Sequence, residues 1–332
     1  MSKKRIIAII LAVVIILGGI VMSSISAVVS TIFNDNSDSA LDPFTEEVEK
    51  SGNSSKRIAH LTLNGEITQD GESGGLLGGN GGYNHSSFLK QLDDVKKDSS
   101  VKGVLLTVNS PGGGTYPSDE IYQKIKQIKQ KDKKVYVQIK DMAASGGYYI
   151  SSPADKIYAG PQSMTGSIGV IMSNVDYSDF QRKLGIKENV IKSGKHKDIL
   201  SSSRHMTPEE KNIMQSVIDD SFDRFVDVVK NGRHMSESKV RKLADGRVYS
   251  AQQAKKNGLI DQIGYENNAL DALSKDIGVK KPEVFTYSAD NGFLSSIFSA
   301  KTSINGVKNS IEELKSAIHN DSKAKPEYLY EG

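Results

Sequence analysis

Cysteine is absent from all 332 residues. That excludes disulfides, thiolate metal sites and a cysteine nucleophile, and it suits an extracytoplasmic setting without demanding one. An excess of one charge is also missing. The chain carries 43 basic and 40 acidic residues, a formal charge of +3, and Lys3, Lys4 and Arg5 account for the surplus. A balanced remainder gives no electrostatic case for nucleic acid as a partner. The six histidines show no His-Glu-x-x-His or comparable spacing, so neither a metal nor another cofactor is expected. The glycine-rich run at 74–82 lacks the Lys-Ser/Thr ending of a phosphate loop, and no clear strand feeds it. It reads as a mobile surface loop carrying Leu76 and Leu77. No internal repeat is present.

What the chain does have begins with an apolar run. Residues 6–28 are about long enough to cross a hydrocarbon core, and the basic residues at 3–5 put the short N-terminus (1–5) on the cytoplasmic side. The expectation is a single transmembrane signal anchor with the rest extracytoplasmic. A cleaved signal peptide is the alternative, with small residues at Ser24 and Ser26. Residues 29–56 are polar and serine-rich and read as a tether. From about 57 to 290 the pattern is that of one α/β domain. Strands are predicted at 57–64, 101–109, 134–140, 156–159, 188–191 and 284–287, and a further one closes 162–173. Helices are predicted at 88–98, 118–130, 175–184, 207–230, 236–243, 250–257 and 265–276. Thr207-Pro-Glu-Glu210 is a strong helix start, with Thr as N-cap, Pro at the first position and Glu at the third. Strands alternating with helices argue for a parallel sheet covered on both faces, with its site at the strands' carboxyl ends. Residues 291–332 look peripheral, a moderately amphipathic stretch followed by a polar tail.

Two glycine-rich turns fall at such strand ends, Ser110-Pro-Gly-Gly-Gly114 and Ala144-Ser-Gly-Gly147. Ser145, flanked by small residues where a strand gives way to a helix, is a candidate nucleophile, and the N–H groups of Gly112 and Gly146 are candidate donors to an oxyanion. No histidine lies between His85 and His196, so a histidine base in the same βα unit is lacking. Candidate bases gather further on, at Lys192, Lys195, His196 and Lys197. A lysine serves as base only when neutral, which requires removal from water. A hydroxyl donating to such an amine would orient it, and Ser167 is a candidate.

Four segments occur in a telling order: Asn-Ser-Pro-Gly-Gly-Gly at 109–114, Ala-Ala-Ser-Gly-Gly-Tyr-Tyr at 143–149, Thr-Gly-Ser-Ile-Gly-Val at 165–170 and Ser-Gly-Lys-His-Lys-Asp at 193–198. Together they resemble the signal peptide peptidase A family, membrane-anchored serine proteases of the S49 type, in its short Gram-positive form. The resemblance runs from about Arg57 to Tyr287. It implies a ClpP/crotonase-like fold of repeated ββα and βα units. It implies Ser145 as nucleophile, Lys197 as general base, Ser167 as the hydroxyl bonded to that lysine, and the N–H groups of Gly112 and Gly146 as the oxyanion hole. It further implies cleavage of remnant signal peptides and other short hydrophobic peptides, and a homo-oligomeric ring. The tail sequence Tyr328-Leu-Tyr330 is itself like a short apolar substrate, which makes it a candidate pseudo-substrate. Two other readings stay open on the residues alone, a crotonase-like acyl-CoA enzyme and a non-catalytic membrane scaffold.

Overall fold

The computed structural model describes residues 44–69, 83–289 and 327–329. The apolar run at 6–28, the glycine run at 74–82 and most of 291–332 lie outside the described residues. Among those described, no helix is long and apolar enough to cross a membrane. Contacts divide the chain into two units, Met1–Thr45 with Ser288–Asp290, and Glu46–Tyr287 with Asn291–Gly332. In the first, Thr45 Oγ1 and Ser288 Oγ share a hydrogen bond of 3.0 Å. The site belongs to the second.

The sheet follows the order β1 (Phe44–Lys50), β10 (Pro282–Ala289), β2 (Asn53–Asn64), β3 (Val101–Ser110), β5 (Lys134–Ala144), β6 (Lys156–Ala159), β9 (Gln262–Ile263). From β10 to β9 each neighbouring pair is parallel. β3 is apolar on both faces because both are covered, its buried run including Val104, Leu105, Leu106 and Val108. β2 alternates as its sequence requires. Ala59, Leu61 and Leu63 join one core with Leu106, Val137 and Phe225, and Ile58 joins another with Leu105, Tyr136 and Leu273.

The first core is roofed by α1 (His85–Lys97), α2 (Thr115–Lys129), the short α3 (Gly146–Ser151) and α5 (Pro208–Arg233), and the second by α8 (Glu266–Asp276). Each fully buried aliphatic side chain contributes about 1.5–3 kcal/mol relative to exposure, so the paired cores hold the sheet rigid beneath the site. The Thr207 start behaves as its sequence predicts. Thr207 Oγ1 accepts from the Glu210 N–H, and the Glu210 side chain accepts from the Thr207 N–H, closing a capping box at the head of a 26-residue helix.

Three short strands complete the region. β7 (Met164–Gly166) runs parallel to the end of β5, β8 (Val248–Ser250) lies antiparallel to β7, and β4 (Gly112–Gly114) pairs antiparallel with β11 (Glu327–Leu329). The remaining helices are α4 (Ser178–Lys183), α6 (Glu237–Leu243) and α7 (Ala251–Asn257).

Some expectations are corrected. Residues 188–191 form no strand, since Val190 and Ile191 stand exposed with no neighbouring strand to pair. The strand expected to close 162–173 does not form there, a short strand at Met164–Gly166 opening the segment instead, and the helix at 175–184 shortens to Ser178–Lys183. Phe44–Lys50 is a strand within the stretch read as tether.

Candidate active site

Three parallel strands end side by side and set the site. The ends of β3 and β5 are in register at Ser110 and Ala143, and those of β5 and β7 at Ala144 and Gly166. Ser145 follows directly, at φ 51° and ψ −116°. A non-glycine residue rarely takes that conformation, which costs on the order of 1–3 kcal/mol and persists only where the surroundings impose it. Here they do. The Ser145 N–H donates to the Gly166 carbonyl at 2.8 Å, and the Ser145 carbonyl accepts from the Tyr149 N–H to open α3. The residue is 1 % exposed, and its hydroxyl has no hydrogen-bond partner. A buried hydroxyl left unbonded is costly for a merely structural serine.

Gly112 and Gly146 lie against each other and against a carbonyl. A Cβ on Gly112, whose φ is +114°, would collide with the Tyr328 carbonyl oxygen and come within 2.8 Å of the Gly146 nitrogen. A Cβ on Gly146 would lie 3.1 Å from the same oxygen. The Gly146 N–H sits at the first position of α3, where no intrahelical acceptor exists. The Gly112 N–H is turned instead to Ser110 Oγ at 3.1 Å. On one edge of β4, the Ile67 N–H donates to the Gly112 carbonyl and the Gly114 N–H to the Ile67 carbonyl. Amides of successive strand residues face opposite ways, so the Gly113 N–H faces the other edge, opposite Tyr328 in the β4–β11 pairing. Gly113 is thus a donor that sequence reasoning passed over. Only the strand pairing singles it out from three consecutive glycines.

Tyr328 is 2 % exposed. Its ring stacks on Tyr149 at 4.8 Å between centroids and meets Phe225 at 4.7 Å, and its hydroxyl donates to the Ser221 carbonyl at 3.0 Å. Burial pushes the Tyr328 phenol up, and Asp119 adds to the effect. Beneath it the Tyr149 hydroxyl donates to Asp119, which also accepts from Arg224 at 2.7 Å. Burial alone would raise the Asp119 carboxyl, but bonds from Tyr149, Arg224 and Gln123 outweigh it and hold it below its ordinary value. The result is an aromatic pocket with an ionised, fully bonded floor.

The basic cluster lies elsewhere, in an exposed stretch between β7 and α5. Lys192 pairs with Asp198 at 2.5 Å, and Lys195 bonds Glu209. His196 faces Glu209 and Glu210 at 3.4 and 3.7 Å. Lys197 alone of the four is exposed without a side-chain partner among the described residues. The exposed Lys197 amine and the buried Ser145 hydroxyl are not hydrogen-bonded to each other within this chain. Ser167, at φ 47°, donates its N–H to the Arg247 carbonyl at 2.9 Å. It lines an open cavity of about 570 Å³ with Phe222, Asp219 and Asp245. Among the described residues no cluster is suited to hold a metal ion.

A nucleophile in a tight elbow, amides converging on a carbonyl and a pocket for the side chain before it make this an acyl-transferring serine hydrolase that receives an extended peptide. The model of peptidase family S49 matches residues 127–280. A candidate signal peptide peptidase, SppA, of Enterococcus faecium is 47 % identical over 253 residues, covering 76 % of this chain and 73 % of that one. A candidate protease of Methanocaldococcus jannaschii is 41 % identical over 71 % of this chain and 75 % of its own length. Protease 4 of Haemophilus influenzae is 34 % identical, with 74 % of this chain spanning 40 % of that protein. Among solved structures, a ClpP1 mutant from Listeria monocytogenes aligns with TM-score 0.42 and 20 % identity over 64 % of this chain and 94 % of that one. The chain belongs to peptidase family S49 and is a serine peptidase of the SppA type. Membership of a peptidase family sets aside the acyl-CoA and scaffold readings.

Proposed function

We propose that this protein is a membrane-anchored Ser-Lys endopeptidase that degrades remnant signal peptides and other short hydrophobic peptides outside the membrane, with each site completed by a neighbouring copy. The observation that carries the reading is the seating of Tyr328. Its carbonyl rests on Gly112 and Gly146, one residue from Ser145, with its ring in the aromatic pocket and its backbone paired to β4. In this reading the chain's own tail is a pseudo-substrate, and Tyr328–Leu329 occupies the position of a bond to be cut. An extended peptide added to the edge of β4 gains main-chain bonds regardless of sequence, and the pocket selects the residue before the cut.

The chemistry follows from the groups present. The Ser145 oxygen attacks the carbonyl carbon while its proton passes to the neutral Lys197 amine. The N–H groups of Gly113 and Gly146 receive the oxyanion, and Gly112 is required as the residue without a side chain that lets the carbonyl approach. On collapse the C–N bond breaks and the leaving amine takes the proton from Lys197. Water, deprotonated by the same amine, then attacks the acyl-enzyme; the ester C–O bond to Ser145 breaks, the serine oxygen takes the proton back from Lys197, and the acid is freed. Ser167 orients the amine by hydrogen bonding.

Support for a neighbour's lysine comes from the exposed stretch. Phe180 is 62 % exposed and Ile191 fully so, with Val175, Tyr177, Leu184 and Ile186 also exposed. An apolar surface of that extent marks an association site, and a second copy seated there would carry its lysine out of water. The cavity beside Ser167 has room for such an amine, and a closed ring satisfies this head-to-tail contact. The apolar run at 6–28 behind three basic residues supports the anchor and the extracytoplasmic location. The test is hydrolysis of synthetic signal peptides by the purified full chain, wild type beside Ser145→Ala and Lys197→Met. Loss in both variants with the fold intact supports the dyad, and activity retained by Lys197→Met but lost in His196→Ala would overturn it.

A further inference from the structure

We propose that Arg204 is the positioning residue for Lys197, acting through Asp198 as a double clamp on the first turn of α5. The proposal rests on Lys197 being the base.

The clamp is unusually complete. Arg204 Nε donates to Asp198 Oδ2 at 2.9 Å and Nη2 to Asp198 Oδ1 at 2.8 Å. The outer edge of the same guanidinium grips Glu210, Nη1 to Oε2 at 2.8 Å and Nη2 to Oε1 at 2.6 Å. Nη2 also reaches the Asp198 carbonyl, and Nη1 the His205 carbonyl, both at 3.2 Å. Two carboxylates are therefore each held by two bonds from one planar fork, a geometry that lysine's single ammonium cannot reproduce. Arg204 and Lys192 hold the Asp198 carboxyl well below the usual range, and Arg204 with the Thr207 N–H does the same for Glu210.

The clamp's two ends are what give it a role. Asp198 is the residue after Lys197, so fixing its side chain and its carbonyl fixes the backbone from which the catalytic amine extends. Glu210 is 2 % exposed and belongs to the capping box of α5. That helix also presents Ser221 and Phe225 to the tyrosine pocket. The lysine loop is thus referenced to a rigid element rather than to solvent. The groups facing the loop are Lys192, Lys195, His196 and Asp198 from the loop itself, Arg204 after it, and Glu209 and Glu210 from α5. Without Arg204, Asp198 and Glu210 face each other as like charges, and the loop loses the only tie among the described residues that uses both oxygens of each.

A displaced amine costs catalysis without costing substrate binding, since the substrate strand lies on β4. In full-length Arg204→Gln, kcat falls about tenfold to a hundredfold, as for other small misplacements of a reacting group, while KM changes less than twofold. The acid limb of the kcat profile moves to higher pH, because an amine less well withdrawn from water is harder to deprotonate. Arg204→Lys recovers part of kcat. If Arg204→Gln does not fold, Glu210→Gln keeps an amide oxygen for the cap, removes the charge Arg204 grips, and must shift the acid limb the same way. An unmoved acid limb in the folded variant, or a loss explained by dissociation of the assembly in sedimentation, overturns the proposal. The underlying reading fails separately, by activity surviving in Lys197→Met.

Discussion

Around Ser145 nearly every neighbour is buried, bonded or forbidden a side chain, whereas the stretch carrying Lys197 is exposed and held by ion pairs and a few turn hydrogen bonds. The first region sits on a covered parallel sheet, and strain at φ 51° is affordable there because strands on both sides impose it. The second has apolar side chains in water and no sheet beneath. In the proposed reading one chain holds the nucleophile, oxyanion donors and pocket, but only the means of presenting a base. The contrast explains why the serine hydroxyl is buried without a partner. In the proposed reading its partner arrives with another copy.

The comparison is broken most severely by removing either half of the dyad. Ser145→Ala and Lys197→Met each lower peptide hydrolysis by about 10³-fold or more, as is usual when one member of a catalytic unit is lost. Both keep the wild-type circular dichroism spectrum. On the oxyanion side, Gly146→Ala sets a methyl group against the incoming carbonyl, and kcat falls by about 10²-fold, measured in steady state. In the pocket, Phe225→Ala raises KM for substrates with an aromatic residue before the cut by roughly tenfold to a hundredfold, corresponding to about 1–3 kcal/mol. Peptides with a small residue there are much less affected.

Smaller effects sharpen the other side of the contrast. Asp198 and Glu210 ionise at lower pH in the folded chain than in an unfolded one. Their network therefore stabilises the fold at pH above about 4, the ordinary carboxylate range, and is lost as acid protonates them. The melting-temperature gap between wild type and Arg204→Gln stays constant near neutral pH and closes in acid. Least of all, Tyr328→Phe removes one hydroxyl bond to a carbonyl already engaged within its helix, so occupancy of the site by the tail drops only a few-fold, about 0.5–1.5 kcal/mol. Competition against a fluorescent peptide reads it.

How much of this was legible in the sequence differs between the two regions for the same physical reason. The strands read at 101–109 and 134–140, the turn at Ser145 and the Thr207 cap are local patterns of alternation, small residues and capping, and they were readable, although the second strand runs on to Ala144. Gly113 was not distinguished from Gly112 because donor direction depends on Ile67 on one edge and Tyr328 on the other, partners distant in sequence. Nothing in the sequence marks Tyr149 and Phe225 as a pocket; the ring of Tyr328 between them does. The apparent strand at 188–191 had the composition but no neighbour. Arg204 carried no signal at all, since its meaning lies in two carboxylates brought together by folding.

One measurement tests the shared site most directly. Ser145→Ala and Lys197→Met chains, each inactive alone, are mixed under conditions that allow subunits to exchange, and signal-peptide hydrolysis is followed. A lysine supplied by a neighbour predicts recovery to roughly a quarter of wild-type activity, the chance that an intact serine meets an intact lysine in a randomly mixed ring. A mixture whose subunits have exchanged, yet which stays as silent as its components, would contradict the account.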